Sequence, residues 1–340
     1  MLNQALINLN NLVYNAKQIK HTLHNGVKFC AVVKADAYGH GASVCANALY
    51  PYVDCFAVAL VEEGVALRYA GIDKDILVLV CCCKNEISRA LEYRLTITVQ
   101  SLAQVKSVCS FAKRLKVKAK VHIKYNTGMN RQGVDDLVEL EQILKYLSAN
   151  EKHIELDGFY SHLSCPENKK ITNVALNKFL LAKTLVKSYN KNTTCHISAS
   201  GGLLCGVQED MVRVGIMLYG YLPYKTNKIK LKHVMSVYAP VIKRVKLRPF
   251  SRCLYGLFRV KKPTDIKLVR FGYADGLERK MVKGQINNRC MDLTAIKDNL
   301  SSKNGVLIMK DAEVLAKKYK TIAYEVLTKI TIRAEKIYVK

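Results

Sequence analysis

From the first residues to about Gly220 the sequence alternates short apolar runs with segments of helical period, and this alternation constrains the fold more than any other feature. Strand-like runs stand at 27–33, 55–59, 76–80, 96–99, 117–124, 154–161, 195–198 and 212–218. Amphipathic segments such as 61–69, 102–114, 137–147 and 174–189 lie between most of them. Repeated β-then-α reads as a parallel sheet covered by helices. About eight such units in roughly 200 residues suggest a (β/α)8 TIM-type barrel in the α/β class. An open doubly wound sheet satisfies the same pattern, because strand order is not written in a sequence.

After 221–223 the character changes. A polar, basic stretch, YKTNKIKLKH, leads into VMSVYAPVIKRVKL and then further β-like runs with few long helical patterns. The organisation expected is a barrel domain over 1–224, a hinge over 225–233 and a C-terminal, mainly β domain over 234–340. A chain of 340 residues suits one large domain with a smaller one.

Composition narrows the classes of function. The formal charge is +27, but Lys and Arg are scattered, with modest clusters at 113–120, 225–232 and 243–248. A nucleic-acid binder concentrates them in a stripe, often with aromatics interleaved. The charge is therefore read as a generally basic surface, with no nucleic-acid partner expected, and it favours acidic ligands, phosphates included. No apolar run is long enough to span a bilayer, and the start, MLNQALINLNNLVYNAKQIK, lacks a signal peptide's basic start and long apolar stretch, so a cytoplasmic protein without a membrane partner is expected. The twelve cysteines, with a triplet at 81–83, show no paired CxxC spacing, so neither a zinc site nor a disulfide framework is expected.

The run VKFCAVVKADAYGHGA ends its apolar stretch on Lys34 and passes at once into small residues and two glycines. Chemistry in an α/β barrel sits at the C-terminal ends of the strands. Polar residues gather at those positions repeatedly: Lys34, then Arg131 in YNTGMNRQG, His162 closing IELDGFYSH, Ser200 after CHISA, and Arg213 with Gly215 in MVRVGIMLYG. Each alone has a plain structural reading; five in one chain weigh against it. A lysine shielded from water loses basicity and becomes an amine nucleophile able to form a Schiff base with an aldehyde, of which pyridoxal phosphate is the commonest cofactor. Ser200, the backbone at Gly201-Gly202 and Gly215-Ile216, and the Tyr38 hydroxyl supply phosphate donors. His40 is read as a packing or loop residue, and His122 and His196 as satisfied core histidines.

AVVKADAYGHGA resembles the cofactor-lysine signature of the bacterial alanine racemases, and HIKYNTGMNRQG, GFYSHLS, MVRVGIMLYG, GYADG and NRCMD follow in that family's order. The likeness runs from INLNNLVYNAKQIK to YEVLTKITIR, nearly the whole chain. It implies a pyridoxal-phosphate enzyme that interconverts L- and D-alanine, supplying D-alanine for peptidoglycan, and works as a homodimer with shared active sites. Lys34 would hold the cofactor; Tyr38, Ser200, Gly215 and Ile216 would bind its phosphate. Arg213 would face the pyridine nitrogen with His162 beside it. Arg131 would help place the substrate carboxylate, Met291 would contact substrate, and Tyr273 would arrive from the other subunit as second base. No metal is implied.

The chemistry supports these roles. Racemisation removes a proton from one face of Cα and delivers one to the other, which two opposed bases accomplish. An arginine at the ring nitrogen disfavours a protonated pyridine and so limits transamination. Several positions depart from the family pattern: Asn126 stands where Asp is usual, Ala199 where Asn is common, Leu277-Glu278 where Tyr-Pro is frequent, and Ile332 where some members have tyrosine. Lys124 occupies a position that is carbamylated in some relatives. The alternatives are a racemase of broader specificity, a barrel-type decarboxylase, which lacks the Tyr273 context, and a non-catalytic pyridoxal-phosphate-binding protein, which lacks a second domain.

Overall fold

The computed structural model describes residues 2–255, 259–279, 288–298 and 305–340. The chain folds as two units, one of Val13–Ala37 and Ala42–Leu231, the other of Met1–Leu12, Tyr38–Gly41 and Lys232–Lys340.

The first strand, β1 (Gln4–Asn8), belongs to the second of these. The larger unit is built from β2 (Lys28–Val32), β3 (Cys55–Val58), β4 (Ile76–Val78), β5 (Thr96–Val99), β6 (Ala119–Lys124), β7 (Ile154–Tyr160), β8 (Thr194–His196) and β9 (Met211–Val214). Each overlaps one of the eight apolar runs, although the run at 212–218 is strand only as far as Val214 and then turns at Ile216–Tyr219. All pair in parallel, in the order β8-β7-β6-β5-β4-β3-β2-β9. The two ends meet: Arg213 N donates to Ser198 O at 3.1 Å, and Ala199 bridges Arg213 in parallel. The sheet is thus a (β/α)8 barrel and not an open doubly wound sheet.

The covering helices follow from pattern and caps. In Leu102–Leu115, Val105, Val108, Cys109 and Ala112 are buried, the spacing of one helical face. Ser101 caps its start by accepting from Gln104 N at 3.3 Å, and Lys116 ends it in the left-handed region at φ 55°. Asp136 does the same for Leu137–Ala149 by accepting from Glu139 N at 2.8 Å. With helices outside and side chains filling the interior, strands such as β5 are buried throughout, as parallel strands are.

In the second unit, β10 (Met235–Leu247), β11 (Thr264–Val269), β12 (Asn288–Arg289), β13 (Thr294–Lys297), β14 (Gly305–Met309) and β15 (Glu335–Val339) join β1 in one sheet. β1 runs antiparallel to β10, with Ala5 opposite Val237, and parallel to β15, with Leu6 opposite Ile337. Leu247, Cys253, Val260, Ile266 and Ala295 form a small core on this sheet. Two helices, Ala312–Tyr319 and Ala323–Ile330, complete it. Among the described residues no helix is long and apolar enough to cross a membrane.

Candidate active site at the barrel mouth

Val33 and Lys34 follow β2 directly. Ala35, Asp36, Ala37 and Tyr38 then hold φ of 51, 53, 54 and 54°, and Ala37 N donates to Val33 O at 2.9 Å. This is a single left-handed turn of non-glycine residues, which costs about 1–2 kcal/mol per residue. Such a turn persists only where its surroundings over-determine it. Here Glu63 does so: its carboxylate accepts from Ala35 N at 2.6 Å, Ala59 N at 2.7 Å and Leu60 N at 3.1 Å. Asp36 adds a bond from Ala42 N at 2.8 Å. The backbone that carries Lys34 is therefore fixed from two neighbouring loops. Tyr38, the fourth residue of the turn, falls in the other unit, where it is buried with its ring centroid 5.9 Å from that of Tyr324.

Around the C-terminal ends of the strands lies a group of cations. Burial, and then the charge of Arg131, lowers the pKa of Lys34, while Glu63 opposes them. Burial, then Arg213 and Arg131, push Lys124 down to about 7. Burial followed by Arg213, Lys124, Arg131 and Lys34 takes His162 down to about 3, so its imidazole is neutral at ordinary pH. The Arg213 guanidinium, buried in the barrel, donates to Ser161 O at 2.7 Å and Ile197 O at 3.3 Å, and lies 3.5 Å from His162 Nδ1. The Tyr160 ring lies among them, with Lys124 Nζ 4.6 Å and Arg213 Cζ 4.9 Å from its centroid, in reach of cation–π attraction. Its hydroxyl donates to Leu79 O at 3.2 Å and shares a 2.9 Å bond with the Thr98 hydroxyl.

The structure thus gathers Lys34, Lys124, Arg131, His162 and Arg213, all at strand ends or in the loops after them. Beside them Ser200, which is buried, accepts from Gly215 N at 3.3 Å, and Ile216 opens the short turn Ile216–Tyr219. An amine made more readily neutral, a concentration of positive charge, and a buried hydroxyl beside a backbone N–H fit a phosphate-bearing aldehyde.

Lys124 has a measurable consequence. Its folded pKa lies near 7 against an ordinary 10.5, so between those values the unfolded chain binds more protons and stability rises with pH; below about 7 the full cost is present. Lys124→Met is expected to stabilise the cofactor-free protein at pH 7 by on the order of 2–4 kcal/mol. The gain should shrink as the pH approaches 10. Denaturant unfolding of both proteins across this range checks it, and parallel stability curves would refute the assignment.

The Arg131 loop explains one departure from the family pattern. Asn126 Oδ1 accepts from Gly128 N at 3.0 Å and Asn130 N at 3.1 Å, while its Nδ2 donates to Asn130 Oδ1 at 3.0 Å and Asp135 Oδ1 at 2.7 Å. An aspartate could accept the first pair but would face Asp135 with like charge. Of the other departures, Ala199 precedes the turn Ser200–Leu204 without a side-chain cap, Leu277 is buried and Ile332 is exposed.

Tyr273 and Met291 lie in the second unit. The turn Tyr273–Asp275 is clamped at both sides: Tyr273 N donates to Cys290 O at 3.2 Å and Ala274 N to Met291 O at 3.0 Å. Asp275, buried, accepts from Gly272 N at 2.8 Å and Asn3 Nδ2 at 3.1 Å. Position 272 must be glycine, since a Cβ there would stand 2.1 Å from Met291 O, and Gly276 leaves the turn at φ 100°. The result displays the Tyr273 side chain, which is exposed, as is that of Met291.

Sequence reasoning missed Glu63, Thr98 and Tyr160. Glu63 reads as an ordinary acidic residue in the first turn of a helix, and a tyrosine ending a strand carries no mark of what it packs beneath. His40, His122 and His196 are all buried and hydrogen-bonded.

Comparison with known proteins agrees with this geometry. Family models described as alanine racemase, N-terminal domain, and alanine racemase, C-terminal domain, match residues 7–223 and 234–338. The chain is 34% identical to alanine racemase 2 of Caldanaerobacter subterraneus subsp. tengcongensis over 98% of its own length and 94% of that protein. Its fold is similar to the alanine racemase of Clostridium difficile 630, with a TM-score of 0.94, 30% identity and coverage of 100% and 96% of the two chains. A Bartonella henselae alanine racemase solved with covalently bound pyridoxal phosphate aligns over 100% of both chains, with a TM-score of 0.86 and 26% identity. With both of its domains matched in their own right, and a left-handed turn carrying a half-buried lysine at a cationic barrel mouth, this chain belongs to the alanine racemase family.

Proposed function

We propose that the protein interconverts L- and D-alanine, supplying D-alanine for peptidoglycan, with pyridoxal phosphate held through Lys34. The observation that carries this reading is the convergence at one barrel mouth of Lys34, its basicity lowered by burial and Arg131, with Arg131, His162, Arg213, Ser200 and Gly215. The family match supports it, as does the Bartonella henselae relative with its covalently bound pyridoxal phosphate.

Pyridoxal phosphate, when bound, supplies an aldehyde for the amino group of alanine and an electron sink that acidifies its Cα–H. This chain's residues do the rest. The Ser200 hydroxyl and the backbone at Gly215 and Ile216 hold the phosphate, with Tyr38 adding its hydroxyl. Arg213 presents to the ring nitrogen a donor that does not give up its proton, with neutral His162 beside it. Arg131 orients the substrate carboxylate. The Lys34 amine takes or gives the Cα proton on one face, and the Tyr273 hydroxyl serves the other, with Met291 alongside substrate. In this reading residues 234–340, which follow the barrel through a hinge at 225–233, contribute Tyr273 to the site of a second copy in a cytoplasmic homodimer. Borohydride reduction of the cofactor-loaded protein followed by peptide mapping tests the anchor: a pyridoxyl group on the peptide containing Lys34 supports the reading, and its attachment elsewhere refutes it.

A further inference from the structure

A row of hydrogen bonds crosses the barrel interior from the far end to Arg213. Asp157 Oδ2 lies 2.9 Å from His122 Nε2, His122 Nδ1 lies 3.0 Å from His196 Nε2, and His196 Nδ1 meets Arg213 Nη1. The direction of every bond follows from one fact: arginine has donors only. His196 must accept from it at Nδ1, so the proton of the neutral His196 ring sits on Nε2. That N–H donates to His122 Nδ1, which leaves the His122 proton on Nε2, donating to the Asp157 carboxylate. Both rings are thereby neutral, in the Nε2–H form, and aligned between a cation and an anion.

The arrangement is built into the fold. His122 and His196 are buried. Their ring centroids are 5.1 Å apart, and His196 stacks on Tyr160 at 4.9 Å with the planes 3° apart. Gly158, opposite His122 in the pairing of β6 with β7, leaves room for that ring: a Cβ would lie 2.4 Å from its atoms. At the other end Asp157 is partly exposed and borders a cavity of about 110 Å³ shared with Lys28 and Thr194, the first residues of β2 and β8. Burial raises the Asp157 carboxyl, but the bond from His122 and the charges of Lys120 and Lys28 outweigh it and hold the group below its ordinary value, so it is an ionised acceptor.

We infer that Asp157 and His122 are positioning residues for Arg213: acting through His196 from the opposite end of the barrel, they fix one imidazole tautomer and so the orientation and hydrogen bonding of the guanidinium at the mouth. Neither residue touches the reacting atoms. The consequence for catalysis rests on the racemase reading; the tautomer order does not.

The test uses the cofactor-loaded protein labelled with 15N in its histidine rings, as wild type, His122→Phe, Asp157→Leu and Asp157→Asn. In the wild type both rings are expected to show a protonated Nε2 and an unprotonated Nδ1 at neutral pH. His122→Phe and Asp157→Leu should alter the His196 ring signals and lower kcat for alanine about tenfold, with KM within about threefold. Asp157→Asn keeps an oxygen acceptor for His122 and should stay within about threefold of wild type in kcat. A protonated Nδ1 on either ring of the wild type overturns the inference, as do unchanged His196 signals in both His122→Phe and Asp157→Leu. If the wild type leaves alanine unracemised, the functional reading has failed, and the ring signals still decide the relay.

Discussion

Lys34→Ala is expected to lower racemisation about 10⁴-fold in both directions. The loss is large because one amine is asked to do two things. In the proposed mechanism it tethers the cofactor and carries the proton on one face of Cα; alanine at this position can do neither. The neighbouring lysine does not replace it. Lys124 belongs to the same cationic group and is pushed to about 7, but it stands at the end of β6, with its ammonium 4.6 Å from the Tyr160 ring centroid. Phosphate contacts at Ser200 and Gly215 should survive, so the variant should still bind pyridoxal phosphate, reversibly and more weakly. Steady-state rates with each enantiomer check the prediction, together with dialysis of the loaded variant. Retention of more than about a tenth of the wild-type rate would show that another group serves as base.

Tyr273→Phe removes only a hydroxyl, and its expected effect is more selective. Overall racemisation should fall by about 10²–10⁴-fold, the range for loss of one acid–base group. Because the two enantiomers have equal free energy, kcat/KM must fall equally in both directions. Proton exchange should not. The Lys34 face remains intact, so in deuterated water one enantiomer should exchange its Cα proton without inverting, while the other exchanges slowly. Equal residual exchange from both enantiomers would mean that the proton on the second face is handled elsewhere. The substitution should leave the fold unaltered: the turn is held by backbone bonds from positions 273 and 274 to Cys290 and Met291 and by the buried Asp275, none of which involves the phenol.

The barrel was legible in the sequence because each of its eight strands is a short apolar run bounded by polar ends, followed in most cases by a segment of helical period. Period and length are local properties, and local patterning carries them. Pairing is not local. Nothing in QALIN marks β1 as a strand that runs between β10 and β15, more than two hundred residues away, and neither the closure between β9 and β2 nor the Ala199–Arg213 bridge follows from composition. At the site, Lys34, Arg131, His162, Ser200, Arg213 and Gly215 were visible because unusual residues recur at strand ends, where this architecture does its chemistry. Glu63 was invisible because its work is done by a carboxylate accepting three backbone N–H groups from loops, which depends on how the loops fold. The tautomers of His122 and His196 were likewise unreadable, since they follow from contact with Arg213 and Asp157 across the barrel. Tyr273 was marked by its turn: the glycines in GYADG answer to a close approach at 272 and a left-handed residue at 276.

Transfer of the Cα proton of alanine between two faces is measured by incubating L-alanine with the pyridoxal-phosphate-loaded protein in deuterated water and resolving the enantiomers by chiral chromatography with mass detection. D-alanine is expected to accumulate until the two enantiomers are equal, carrying deuterium at Cα, while the Lys34→Ala protein leaves L-alanine essentially unchanged. L-alanine recovered without inversion or deuterium from the loaded wild-type protein would contradict the proposed racemisation.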